Sequence, residues 1–275
     1  MSTAKSVARD TAKKILSTLL GEGSVESIYD FENTLACNMS PLFKEHSKRL
    51  AEFKDKHRGK RCFIIGNGPS LKEMDLKPLR NEVTFGLNRI YLLFDKIGFT
   101  TSYYVSVNGY LIEQCAKEIE NINCPKFIRW DYRNHFTPSS EIIYMRSRSV
   151  PGFYHDPARD GLWEGTTVTY AAMQLAYFMG FTEVVLIGVD HDFKSKGKSN
   201  ELVTSTGNDP DHFDPKYFGK GFKWQFPDLA TSERAYLLAK EAYEKDGRTI
   251  VDATSGGKLQ VFPKANYRDI LTNNR

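Results

Sequence analysis

Three polar clusters carry the groups that could do chemistry. The first is Asp190-His191-Asp192, which directly follows the apolar run VVLIGV. Two carboxylates flanking an imidazole could hold a divalent cation or move a proton. The second is the stretch NDPDHFDPKYFGKGFKWQFPD, which holds His212, Tyr217, Lys220, Lys223 and Trp224. A histidine titrates near neutrality and suits a general base, while Tyr and Lys donors suit a phosphate-bearing ligand. The third is a set of turns. In FIIGNGPSL four apolar residues run into Gly66-Asn67-Gly68-Pro69-Ser70. Glycines let backbone N–H groups approach a phosphate, so Gly66, Asn67, Gly68 and Ser70 form a candidate nucleotide cradle. The motif is neither G-x-G-x-x-G nor a Walker A sequence, and a plain turn fits it equally well.

Two further asparagines share the placement of Asn67. Asn88 follows the run EVTFGL, and Asn108 follows YYVSV. An amide can donate and accept at once, which suits a base or ribose edge, although each could instead cap the next helix. Gly165-Thr166-Thr167 opens a helical stretch whose apolar face includes Val168, Ala172, Leu175 and Ala176. The free N–H groups of its first turn could hold an anion, or a Thr could simply cap it.

The elements that must position these groups alternate. Short apolar runs at 61–66, 82–87, 102–107, 126–130, 142–146, 183–190 and 248–253 read as strands, and helical patterns lie at 109–121, 165–180 and 229–246. Such alternation predicts an α/β fold, Rossmann-like, with a mostly parallel sheet and helices on both faces. Ligands of such sheets bind at the carboxyl ends of strands, where the turns above fall. Residues 191–228 lack periodicity and are rich in Lys, Gly, Asp, Pro and aromatics, which predicts a functional lid or a disordered insert. Residues 1–58 are expected to form a helical extension to a catalytic domain spanning 59–275. Val7, Ala8, Thr11, Ile15 and Leu19 share one helical face, "GEG" at 21–23 ends that helix, and a second stretch from Ser27 to His57 breaks near Pro41. Packing on the core or on a second subunit, or contact with an anionic membrane surface, would each use such an extension.

Composition narrows the class. The chain has 275 residues, 40% apolar and 26% charged, with a net charge of +4. Lys and Arg are spread along it, so no nucleic-acid footprint is indicated. Cys37, Cys62, Cys115 and Cys124 fit no zinc or redox spacing, which suits reduced thiols in a cytoplasmic protein, and no export signal is expected: Asp10 and Lys13-Lys14 interrupt what such a signal would need as an apolar core.

FIIGNGPSLKEMDL, GLNRIYLLF, GTTVTYAAMQLAYFMGFTEVVLIGVD and GGKLQVFPKANY, in that order, resemble the DUF115 or MptE-like proteins and the related bacterial sialyltransferases of glycosyltransferase family 42. The resemblance covers about 60–269 and implies a fold like a variant of the glycosyltransferase A type. It implies an inverting, metal-independent transferase that needs no cofactor and passes a CMP-linked, sialic-acid-like sugar to a cell-surface glycan or glycoprotein. Gly66–Ser70, Asn88, Gly165, Thr166, Thr167 and Asp190 would then contact nucleotide. The lid would supply the base, His212, with His191 and Lys220 as further candidates, and Tyr217 and Lys220 would bind the leaving phosphate. The MptE-like relatives imply an alternative, a Mg-dependent diphosphokinase acting on a hydroxymethylpterin with Asp190 and Asp192 as ligands. A non-catalytic nucleotide-binding module is the third reading. A location at the inner face of the membrane, or a homo-oligomer, would use the N-terminal helices.

Overall fold

A computed structural model describes residues 22–272. The helix expected around Val7–Leu19 lies outside the described residues. Glu22 and Gly23, expected to end it, belong instead to helix α1, Glu22–Met39. Helix α2, Pro41–Ala51, follows at once: Ser40 caps it by accepting the Phe43 N–H at 3.3 Å, and Pro41 fills its first turn, where no N–H is needed.

Seven strands form one parallel sheet: β1 Arg61–Ile65, β2 Thr84–Leu87, β3 Tyr103–Ser106, β4 Lys126–Arg129, β5 Ile142–Met145, β8 Glu183–Ile187 and β11 Thr249–Asp252. Their order is β11-β8-β1-β2-β3-β4-β5. Two residue pairs, β6 Ser147–Arg148 and β7 Leu162–Trp163, make a small separate sheet. Every residue of β2, β3 and β5 is buried, as expected of strands covered on both faces.

The two-residue period of the strands divides the core. Ile64, Phe85, Val105, Phe127 and Leu186 point to the side of helices α4, Val168–Phe178, and α5, Leu229–Lys245. Phe63, Ile65, Tyr104, Ile128 and Ile187 point to the side of α3, Gly109–Glu120. Helix α4 is buried nearly all round, which explains its weak amphipathicity. The second half of the expected extension is built into this core: Leu50 and Phe53 are buried against the first cluster, and Phe43 meets Trp130 edge-on at 5.1 Å.

The lid contains a two-stranded antiparallel ribbon, β9 Leu202–Thr204 with β10 Lys223–Gln225, rather than a structureless loop. Short helix α6, Tyr267–Thr272, ends the described chain. Among the described residues, no helix is long and apolar enough to cross a membrane.

Candidate functional site

The strand order reverses between β1 and β8: from β1 the chain builds one half of the sheet through β5, and β8 and β11 lie on its other side. Loops leaving such neighbours diverge and open a crevice at the carboxyl end of the sheet. A cavity of about 370 Å³ lies there. Its lining includes Gly66, Asn67 and Gly68 after β1, Asn88 after β2, Asn108 after β3 and Asp190-His191-Asp192 after β8. The start of α4, at Thr166-Thr167, and the lid residues His212 and Tyr217 complete the ring.

The turn after β1 is packed more tightly than a phosphate cradle requires. Gly66 N–H donates to Ile187 O and Gly68 N–H to Gly188 O, both at 2.8 Å. Ser70 is committed to Asp190, its N–H donating at 3.0 Å and its hydroxyl at 2.7 Å. Three N–H groups of the expected cradle are thus consumed within the protein, and Ser70 does not line the cavity. The glycines serve close approach instead. A Cβ on Gly66 would sit 2.3 Å from Gly188 O, and one on Gly68 would sit 1.8 Å from Asp190 Oδ2. Burial raises the Asp190 carboxyl above its ordinary pKa, and the Ser70 bonds oppose that rise. Asn67 Oδ1 is buried at the cavity wall with no hydrogen-bond partner, so it has an acceptor to offer a ligand.

Asn88 caps no helix. It takes a left-handed conformation (φ 49°), and its Oδ1 accepts the Ser106 hydroxyl at 3.2 Å. Asn108, in contrast, caps α3 by accepting the Leu111 N–H at 3.1 Å. Thr167 caps α4, Thr166 bonds Asp228 O and Ser232, and Gly165 stands behind them, packed against Ala235 and off the cavity lining. Five described residues other than glycine have positive φ, and four of them, Asn88, Thr166, His191 and Asn200, line this cavity. Each such conformation costs on the order of 1–3 kcal/mol, and strain of this kind clusters at ligand sites.

The lid delivers a histidine held by a carboxylate. His212 Nδ1 lies 2.7 Å from Asp209 Oδ2, and the imidazole stacks on Tyr217 with ring centroids 3.9 Å apart and planes 6° apart. Asp209 is nearly sealed, at 3% exposure. Burial works to raise its carboxyl, but the His212 contact and the N–H groups of Asp211 and Phe218 hold it below the ordinary carboxylate value. A carboxylate at Nδ1 selects the tautomer with a proton there, which leaves Nε2 as an acceptor. His191, also a lining residue, forms a second pair, Nε2 to Glu233 Oε1 at 2.9 Å.

Of the two expected phosphate ligands, one lies off the cavity and the other lines it from a buried position. Lys220 is exposed and does not line the cavity. Tyr217 is buried, its hydroxyl facing Asn88 and the Arg89 N–H, and burial drives its pKa well above the ordinary phenol value. It is therefore a buttress for His212 rather than a free donor. Among the described lining residues, Arg129 alone carries a permanent positive charge, and Asp131 and Glu164 already flank it at 2.9 and 3.4 Å. Burial raises the Glu164 carboxyl, with Arg129 opposing. No group of three or more His, Cys, Asp or Glu among the described residues is arranged to hold a metal ion. A Mg²⁺ bridging to phosphates needs only one or two carboxylates; Asp190 and Asp192, expected for that role, both line the cavity, and both Asp190 oxygens already accept from Ser70.

The family model described as "6-hydroxymethylpterin diphosphokinase MptE-like" matches residues 33–196. The chain belongs to this MptE-like family. A solved structure with a similar fold is the MAf glycosyltransferase from Magnetospirillum magneticum AMB-1, at a TM-score of 0.51 and 13% identity. That likeness covers 84% of this chain and 39% of the other, so this chain spans well under half of the transferase's length, and at such identity it establishes fold alone. None of the curated proteins compared matches the sequence.

In this MptE-like chain the matched region stops at 196, before Asp209 and His212. Sequence reasoning missed Asp209, although its spacing to His212, D-x-x-H, was a usable signal. It also missed Arg129, a charged residue closing an apolar strand just as Asn88 and Asn108 follow theirs. Glu164 and the aromatic wall of the lid, where Phe218 stacks on Trp224 at 5.3 Å, were missed too.

Proposed function

We propose that this MptE-like protein transfers a group from a nucleotide-activated donor to a hydroxyl, and that the group is a sugar. The observation that carries this reading is the Asp209–His212 pair, whose imidazole residue lines a cavity at the reversal point of a parallel sheet. His212 Nε2 accepts the acceptor's hydroxyl proton while that oxygen bonds to the anomeric carbon. The bond from that carbon to the donor phosphate oxygen breaks, and the nucleotide leaves with its phosphate. An acceptor hydroxyl ionises far above neutrality, so a base within hydrogen-bond reach lowers the barrier. The departing charge develops near the positive end of α4 and near His191, which take the role expected of Lys220. The donor in this reading is CMP-linked and sialic-acid-like, and the acceptor is a surface glycan or glycoprotein.

The family description favours one second reading, diphosphoryl transfer from ATP to a hydroxymethylpterin. There Asp190 and Asp192 would hold Mg²⁺ against the phosphates, and His212 would serve the same base function for a different hydroxyl.

Thermal-shift measurements with CMP, CDP, UDP and ATP, each with Mg²⁺ or with EDTA, separate the two. Stabilisation by CMP that survives EDTA is expected. Stabilisation by ATP with Mg²⁺ alone would transfer the assignment to the second reading.

A further inference from the structure

The cavity has a half that the donor chemistry leaves unused. Its lining follows the ends of five neighbouring strands: residues 188–192 after β8, 66–68 after β1, Asn88 after β2, 107–110 after β3, and Arg129 closing β4. Four strand spacings of about 4.8 Å make roughly 19 Å along the sheet edge. Helix α4 packs on β1, β2 and β3, so its start lies near the middle of this row. His212 stands near the middle as well. Its neighbour Phe213 donates its N–H to Asn67 O at 3.0 Å, and Tyr217, on which its ring stacks, faces Asn88. Asn67, Asn88 and Asp190, the residues expected to meet nucleotide, lie at the ends of β1, β2 and β8. The β3–β4 half remains.

That half joins aromatic walls to a charge-balanced set of donors and acceptors. Arg129 donates to Asp131 at 2.9 Å and to Glu164 at 3.4 Å, which leaves N–H groups of its fork to spare. Glu164 Oε1 is buried there with no hydrogen-bond partner. Tyr132 lies with its ring 5.6 Å from the Arg129 guanidinium, and a Cβ on Gly109 would fall 1.8 Å from its hydroxyl. The lid covers this half. Gln114 binds Lys223 and donates to Tyr110 O at 2.6 Å, which brings β10 to the start of α3. Trp224, next in β10, lines the cavity with Tyr110 and stacks on Phe218. An anionic ligand would meet two carboxylates around one guanidinium. Hydroxyls suit both members of an Arg–carboxylate pair, because each can accept from one and donate to the other. Aromatic rings take apolar C–H surface. A sugar ring, polar at its edge and apolar on one face, meets all of these conditions.

We propose that the acceptor is an uncharged pyranose, seated in the β3–β4 half against Trp224 and hydrogen-bonded by Arg129 and Glu164. Its role as acceptor rests on the glycosyl-transfer reading, but occupancy of the subsite can be measured without turnover. Saturation-transfer NMR on the full chain would use the methyl glycosides of glucose, galactose and N-acetylglucosamine, with methyl glucuronide as the charged comparison. At least one neutral glycoside should receive saturation, the glucuronide should receive less, and excess CMP should not displace the neutral sugar. Glu164→Gln and Trp224→Ala should each cut the signal about fivefold, as the loss of one hydrogen bond or its equivalent would. Trp224→Phe, which keeps a flat ring, should retain most of it. Trp224 belongs to the lid and Glu164 to the segment before α4, so if one variant fails to fold the other decides. No saturation of any neutral glycoside would overturn the proposal. So would a stronger response from the glucuronide, displacement by CMP, or an undiminished signal in the folded variants. Thermal shifts with CMP on the natural chain keep the two readings apart. Stabilisation by CMP without any glycoside signal removes the subsite and leaves the transferase reading. A glycoside signal without stabilisation by any nucleotide removes the transferase reading and leaves the sugar site.

Discussion

The imidazole of His212 lies flat on the phenol ring of Tyr217, 3.9 Å away, while Asp209 fixes its Nδ1 from the side. One face and one edge of the ring are thus set by protein, and the residue lines the cavity. Asp209→Asn keeps the shape but can present a donor where the imidazole N–H needs an acceptor, which favours the wrong tautomer. Turnover should fall by about 10²–10⁴-fold with His212→Ala and by a comparable factor with Asp209→Asn. Steady-state assays with the donor found by thermal shift check this, and near-normal rates in His212→Ala would remove the assignment.

Tyr217 can be dissected by size and by hydroxyl. Tyr217→Phe keeps the stack and loses the contacts to Asn88 and the Arg89 N–H, so it should cost about 1 kcal/mol. Tyr217→Ala removes a ring that is 1% exposed and should cost about 3–5 kcal/mol. Urea denaturation of the two variants distinguishes these sizes.

Asp209 also makes a pH prediction. Its carboxyl lies below the ordinary value in the folded protein, so its contribution to stability is complete above the unfolded value of about 3.9 and is lost as pH falls through the folded one. The stability gap between the natural chain and Asp209→Asn should therefore narrow below about pH 4. Asp190, raised by burial, has the opposite sign: its ionisation weakens the fold as pH rises above the unfolded carboxylate value. Thermal unfolding of each Asn variant between acid and neutral pH tests both directions.

Gly66→Ala should be among the most disruptive small substitutions in the molecule. The added carbon would meet the Gly188 carbonyl at 2.3 Å, and backbone on both sides must part, pulling the ends of β1 and β8 away from each other. A loss of about 1–3 kcal/mol is expected, together with weaker nucleotide binding. Gly219→Ala, whose added carbon meets nothing nearer than 3.5 Å, serves as the control.

Gln114 ties the lid ribbon to helix α3. Its amide donates to Lys223 O at 2.8 Å and accepts the Lys223 N–H at 2.9 Å, as a neighbouring strand would. Gln114→Ala should leave the melting temperature nearly unchanged while exposing residues 202–225 to limited proteolysis and raising KM.

The sheet was legible because buried parallel strands leave dense apolar runs: all seven fell within the expected segments, and α3, α4 and α5 lie within their expected bounds. The turns at their ends could be placed near one another by topology alone, which is why Asn67, Asn88, Asp190 and His191 meet at one cavity. The lid was different. Its strands are three residues long and partly exposed, so they leave no two-residue period. Whether a lysine in it faces the cavity depends on how the ribbon docks, through Arg89, Gln114 and the bond from Phe213 N–H to Asn67 O. Those are long-range contacts that no local pattern encodes, and Lys220 fell on the outer side. Ser70 was misplaced for a related reason: its partner, Asp190, stands 120 residues away.

The strained residues around the cavity set a limit on engineering. Asn88, Thr166, His191 and Asn200 each hold a backbone shape that glycine would adopt without penalty. A laboratory selection for heat resistance alone would be drawn to these four codons, and each gain would delete a side chain from the wall that faces the ligand. Selection should therefore alternate heat challenge with a nucleotide-binding screen, or leave those codons out of the library.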